Sequence, residues 1–268
     1  MSVASSPMPR MFMTLPQPSR AFEWTQASWG PALRCVPLVA AAEHFFTGRA
    51  LTLRDDVREW ETVAATIGVA RDDLLLVSQV HEATVVVASA DRPRPWTRPK
   101  ADAIVSNDPD AAIAVRIADC VPVLLSDESG RAVAAIHAGW RGVAARAIIA
   151  GVRALQTNYG IRPERLIAAV GPAIGPCCYE VTENTYGAFR AAGHHPSVLD
   201  SWFEPRSAGK FHLDLWSATR DQLEGAGVMP ANVHVAELCT KTYADVFHSY
   251  RVDGTSAGRM IGVIRAAK

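Results

Sequence analysis

The chain has 268 residues, 49% of them apolar, enough for one large domain or two small ones with a core that needs no disulfides. Lys plus Arg number 27, as do Asp plus Glu, and no block of one sign is long enough to draw a polyanion or a membrane surface, so neither nucleic acid nor lipid is an expected partner. The five cysteines (Cys35, Cys120, Cys177, Cys178, Cys239) are an odd count with two adjacent, which speaks against a secreted disulfide framework and for reduced thiols in a cytoplasmic protein.

Along the chain, residues 1–20 scatter Pro and Ser without the apolar run of a signal peptide, and nowhere do about 18 apolar residues follow one another. Residues 1–30 are expected to be a flexible or loosely docked leader, and 31–268 one compact catalytic domain. In 56–68, Val57, Trp60, Val63, Ala64 and Ile67 recur at helical spacing before a stop at Gly68. LLLVSQV (74–80) reads as a buried strand with TVVVASA (84–90) as its partner, and His81 falls between them. DRPRPWTRPK (91–100), with three prolines, is a surface loop because each proline removes a donor that a central strand needs.

Further on, 111–120, 121–127 and 131–137 have strand character, which puts Cys120 and His137 at strand edges. GVAARAIIAGVRALQTNYG (142–160) reads as one amphipathic helix ended by Gly160, then a strand at 166–171. A helix capped by Asp214 follows over 213–227, with strands at 232–238 and 260–264. No fixed-period repeat appears, and the irregular order of strands and helices predicts an α+β fold, with mixed β-sheets packed with helices in a single domain.

Three segments carry chemistry. SQVHE, ADC and HAGWRG bring together His81, Cys120 and His137, a donor set that zinc accepts, although 38 and 16 intervening residues match no short zinc motif. Taken singly, each is more often a packed thiol or a hydrogen-bonded histidine than a ligand. HAGWRG also feeds a helix start with Gly139 and Arg141 beside it, which suits an anion such as phosphate or, equally, a tight turn with Trp140 in the core. GPAIGPCCYEV (171–181) is a rigid loop ahead of Cys177 and Cys178, which fit a second metal site, a redox pair or plain packing. SYRVDGTSAGRM (249–260) offers Arg251, Asp253 and Arg259 and is equally a hairpin with a solvated charge pair.

Read in order, VSQVHEATVVV, ADAIV, ADCVPVLLSD, AVAAIHAGWRGV, VGPAIGPCCYEV and FHSYRVDGTSAGRM resemble the multicopper polyphenol oxidase (laccase) domain family, YfiH-like proteins regarded as purine nucleoside phosphorylases. The resemblance implies a catalytic zinc on His81, Cys120 and His137, which leaves room for adventitious copper in vitro, and Arg141 is the further catalytic group expected to hold the anion. It implies substrate contacts from Arg49, Gly139, Cys177 and Arg251. The implied reaction is phosphorolysis of adenosine, inosine, guanosine or methylthioadenosine to base and sugar 1-phosphate, with secondary adenosine deamination. The implied fold is similar to that of toxin-type cysteine hydrolases, and the implied assembly is a monomer or weak homodimer. The alternatives are a cysteine hydrolase or cell-wall peptide editing protein using Cys120 and His137, and a catalytically silent nucleoside-binding protein.

Two labels are tested by ligand supply. A multicopper laccase needs a blue-copper centre plus about eight further imidazoles, whereas this chain has eight histidines in all and no His-x-His pair. The H-x-E and P-C-x-x-C signatures of zinc deaminases are absent too. The chain also departs from the family: FFTGRALTLRDDVREW runs on without the usual Gly-Gly-x-Ser and Ser-Leu-Asn stretches, the Asn-Arg pair is missing near Glu59 and Trp60, Glu82 replaces a Gly, and Thr219 an Asn.

Overall fold

The protein, described over residues 14–268 by a computed structural model, is built on two six-stranded sheets. The first sheet runs in the order β1 (Phe22–Ala27), β2 (Gly30–Cys35), β3 (Glu43–Thr47), β15 (Met260–Arg265), β7 (Ala112–Ile117) and β4 (Leu74–Leu76). The second runs β14 (Val233–Val235), β10 (Leu166–Val170), β8 (Val121–Asp127), β9 (Val133–Ala138), β6 (Ala103–Ser106) and β5 (Val85–Ala88). Both are mixed: β4 lies parallel to β7, β5 to β6 and β10 to β14, and the remaining pairs are antiparallel. A small third sheet joins β11 (Glu180–Thr182), β13 (Lys210–Leu213) and β12 (Phe203–Pro205).

The sheets lie face to face. Leu33, Phe46, Ile113, Val115 and Ile264 of the first share one buried cluster with Ile104, Leu124, Val133, Ala135 and Ala169 of the second. Strands buried on both faces are near-continuous apolar runs, and β8 and β9 are buried along their whole length. Helix α2 (Val57–Ile67) covers the outer face of the first sheet through Trp60, Val63, Ala64 and Ile67. Helices α3 (Trp140–Ala144), α4 (Ala147–Tyr159), α5 (Glu183–Ala191), α6 (Pro196–Trp202) and α7 (Leu215–Gly225) pack with the outer face of the second. Two short helices, α1 (Val36–Val39) and α8 (Tyr250–Asp253), complete the set. The result is the expected α+β fold in one domain.

The stop expected at Gly68 and the cap expected at Asp214 both form, and Asp56 adds a cap that the sequence reading did not name. The Asp56 side chain accepts from the Arg58 amide at the start of α2, Gly68 ends it at φ +82°, and Asp214 accepts from the amides of Trp216 and Ser217 at the start of α7.

Four expectations are corrected. Residues 14–30 are no leader: Phe22 is buried, β1 pairs with β2 along six residues, and the Ser19 amide donates to the Ala236 carbonyl. The earlier part of the expected leader, 1–13, lies outside the described residues. LLLVSQV and TVVVASA are not partners, since β4 ends at Leu76 and joins the first sheet while β5 joins the second. Between them His81 takes a left-handed backbone, φ +62°, which redirects the chain. The helix expected over 142–160 is two, α3 and α4, because Arg146 sits at φ +64° with its guanidinium donating to the carbonyls of Ala192 and Gly193. Finally, 249–260 forms α8 and a 3₁₀ turn rather than a hairpin.

Candidate active site

The two sheets open at one common end onto a cavity of about 580 Å³. On the second sheet, Asp102 directly precedes β6, Cys120 directly precedes β8, and His137 lies near the end of β9, where it stands opposite Pro122. His81 comes from the redirected link between β4 and β5. One donor atom from each of His81, Cys120 and His137 lies within 4.8 Å of the others, although the three are far apart in sequence. The two imidazole rings meet edge to face, centroids 4.9 Å apart.

Asp102 organises this cluster, and sequence reading missed it. Its carboxylate is fully buried and accepts from His137 Nδ1 at 2.9 Å and from the amides of Val80, His81 and Glu82 at 3.3, 3.0 and 2.7 Å. It thereby fixes the ring of His137, leaving Nε2 for the cavity, and holds the left-handed turn that presents His81. Burial raises the Asp102 carboxyl, but the His137 bond and the amides outweigh it and leave its pKa below the usual value. The signal available in sequence was a lone acid in the apolar stretch ADAIV.

Electrostatics tie Cys120 to His137. Burial pushes the Cys120 thiol up, yet the positive charge of His137 and hydrogen bonds from His137 and His81 bring it down to about 6. Burial pulls His137 down, and the Cys120 thiolate together with Asp102 lifts it to about 9. Gly139 is required by contact: a Cβ there would lie 2.8 Å from the Cys120 sulfur and 3.3 Å from His81 Cδ2.

The donor set fits zinc. One thiolate and two imidazoles, one of them backed by a carboxylate, are the kind of three-ligand set that would hold a catalytic zinc beside the cavity. Multinuclear copper does not fit, because His81 and His137 are the only histidines in the two donor clusters found among the described residues. His44 and His248 are buried elsewhere on backbone partners.

The first sheet contributes cations. Arg116 lies on β7 and Arg259 directly precedes β15, while Arg141 on α3 and Arg251 on α8 line the same cavity. None of these four guanidinium groups has a carboxylate within ion-pair distance among the described residues. The one carboxylate in the lining, Asp119, is already engaged by Thr240 Oγ1 at 2.6 Å and the Arg251 amide at 2.7 Å. Gln79 completes the wall by exchanging two hydrogen bonds with the backbone of Arg116 where β4 has ended. Aromatic surface comes from Trp140, Tyr179 and Tyr250, with Arg141 4.2 Å over the Trp140 ring and Arg251 5.1 Å over that of Tyr179.

His81, Cys120, His137, Gly139, Arg141 and Arg251 of the expected site thus come together. Two others do not. Arg49 donates to the carbonyls of Ala244 and Phe247 and to Asp253, and lines a separate cavity with Thr52, Arg54 and His248. It braces the segment bearing Arg251. Cys177 lies apart, with Cys178 and Cys239. Arg141 also stands on a five-residue helix, so the arginines, rather than a helix terminus, make the cavity attractive to anions.

Comparison with known proteins gives the family and the fold. A family model described as multi-copper polyphenol oxidoreductase laccase matches residues 54–267. The chain is 43% identical over 204 residues to a purine nucleoside phosphorylase of Deinococcus radiodurans, covering 75% of this chain and 74% of that one. It is 35% identical over 204 residues to an adenosine deaminase of an unknown prokaryotic organism, covering 74% and 77%. Among solved structures, YlmD from Geobacillus stearothermophilus matches with a TM-score of 0.81 at 29% identity, covering 91% of this chain and 99% of that one. The Bacillus licheniformis hypothetical protein YfiH matches at 0.79 and 25% identity, covering 88% and 96%. With a match across most of its length, and with the fold of YfiH and YlmD, this chain belongs to the multi-copper polyphenol oxidoreductase laccase family.

Proposed function

We propose that the protein is a zinc-dependent purine nucleoside phosphorylase with secondary adenosine deaminase activity. The observation that carries this reading is a three-donor cluster, His81, Cys120 and His137, opening onto a cavity also lined by four arginines without carboxylate partners. A site with that charge is suited to hold phosphate beside a polar substrate. The relatives named as a purine nucleoside phosphorylase and an adenosine deaminase support the same substrate class.

In this reading Arg116, Arg141, Arg251 and Arg259 bind and orient phosphate, and Trp140, Tyr179 and Tyr250 offer ring faces and edges to the purine. A phosphate oxygen bonds to the sugar C1′ as the C1′–N bond breaks; the base leaves with that electron pair and takes a proton. Zinc, when bound, supplies a Lewis acid with an open position for an oxyanion or water. Asp102 keeps the proton of His137 on Nδ1 and its lone pair on Nε2. Cys120, depressed to about 6, is already a thiolate near neutral pH, whereas His137, lifted to about 9, must shed a proton to act as a ligand, so metal uptake releases acid.

Purified protein is incubated with adenosine, inosine, guanosine or methylthioadenosine, with and without phosphate, while base and ammonia are measured. Chelation is expected to abolish base release and zinc to restore it. Absence of both products from every purine nucleoside, in protein with stoichiometric zinc, would refute the proposal. The line Asp102–His137–Cys120 is also the wiring of a cysteine nucleophile, and activity that survives chelation but not Cys120 alkylation would favour that second reading.

A further inference from the structure

The second cluster of thiols lies outside this mechanism. Cys177 is exposed, Cys178 half-buried and Cys239 buried, and their sulfurs all lie within 4.8 Å of one another. The two segments that carry them are locked together: Ala173 bridges to Cys239, and the Gly175 amide donates to the Cys239 sulfur at 3.3 Å. Gly175 is needed there, since a Cβ would come within 2.7 Å of the Trp216 ring.

We propose that Cys177, Cys178 and Cys239 form a second metal site, all thiolate, for one copper(I) ion. Metal–sulfur bonds near ~2.3 Å hold the sulfurs of a compact centre about 3.8 Å apart, and Cys177 and Cys178 already stand at 3.4 Å with the third sulfur inside the same sphere. A set of three sulfurs without imidazole or carboxylate is soft and selects copper(I) over harder cations. An outer shell is built as well. Cys239 accepts from the amides of Gly175 and Thr242, and the Thr242 hydroxyl lies 3.5 and 3.4 Å from the sulfurs of Cys177 and Cys178. Exposed Cys177 provides the entry path.

A disulfide between the neighbours is the poorer use of these thiols. Their peptide bond is trans, which fixes the Cα atoms ~3.8 Å apart, short of the roughly 4.4 Å at which disulfide spans begin. This site does not depend on the nucleoside reading.

The test uses the full chain carrying Cys120→Ser, so that the His81 cluster has lost its sulfur. Metal-free protein is titrated anaerobically with copper(I) against bathocuproine disulfonate, and copper-edge absorption reads the bound ion's neighbours. The expected result is a single equivalent drawn from the chelator into a sulfur-only shell, with affinity falling at least ~tenfold on further Cys177→Ser or Cys239→Ser substitution. No copper drawn, a nitrogen-containing shell, or affinity within twofold after Cys177→Ser would overturn it. If Cys239→Ser does not fold, Cys177→Ser, at an exposed position, decides alone.

Discussion

The second sheet and the first sheet meet at the same cavity but bring it different things. Donor atoms come from the second: His137 sits within β9, a strand buried along its whole length, and Cys120 and the orienting Asp102 directly precede β8 and β6. Cations come from the first, with Arg116 on β7 and Arg259 just before β15, joined by Arg141 and Arg251 from α3 and α8. The donors are interlocked through a buried carboxylate and a left-handed turn, whereas the arginines line the cavity without carboxylate partners, Arg141, Arg251 and Arg259 being held by backbone carbonyls or aromatic faces. A ligand set must be exact in geometry before any substrate arrives, which suits a packed strand end. An anion site can adapt as the anion enters, which suits longer side chains in water.

That contrast fixes the order of expected effects. The largest come from the donors: Cys120→Ala or His137→Ala should remove bound zinc and lower kcat/KM by roughly 10³-fold, read by elemental analysis and base release together. Loss of activity with zinc retained would separate catalysis from ligation. Next is Asp102→Ala, which strips four donors of their acceptor. Zinc affinity or activity should fall 10–100-fold, and the uncompensated pocket should cost about 3 kcal/mol of stability by denaturant titration. A variant as stable as the parent would show that the carboxylate does not organise the site.

Smaller effects belong to the arginines. Arg116→Ala and Arg141→Ala should each raise the KM for phosphate about tenfold, with zinc content unchanged and adenosine deamination, which uses no phosphate, little altered. Equal losses in both reactions would mean that these arginines shape the pocket rather than bind the anion. The mildest probe uses metal-free protein. Cys120 is depressed to about 6, so its alkylation rate should rise as pH climbs through about 6 and then level off. His137→Ala removes the charge responsible and should move that midpoint upward. An unmoved midpoint would show that His137 is not the partner of the thiol.

How much of this was legible in the sequence follows the same division. Elements with a strong period and a cap, such as α2 from Asp56 to Gly68 and α7 behind Asp214, could be read directly. His81, Cys120 and His137 were found through the segments that contain them. Their convergence could not be read from spacing, because it depends on a chain crossing from one sheet to the other at His81 and again at Cys120. Asp102 was invisible for the same reason: its four partners lie 20 to 35 positions away. The break at Arg146 left no trace, since a non-glycine residue at φ +64° is held there by distant carbonyls. Arg49 shows the reverse case: expected at the substrate, it lies outside the cavity of the donor cluster and contacts the 244–253 segment, 195 and 204 positions on.

Phosphorus NMR of the zinc-loaded protein with inosine and inorganic phosphate tests the joint action of the two sheets most directly. The account predicts a growing sugar 1-phosphate resonance that matches the hypoxanthine released and is absent with Cys120→Ala. Hypoxanthine released without that resonance, or a resonance undiminished in Cys120→Ala, would contradict it.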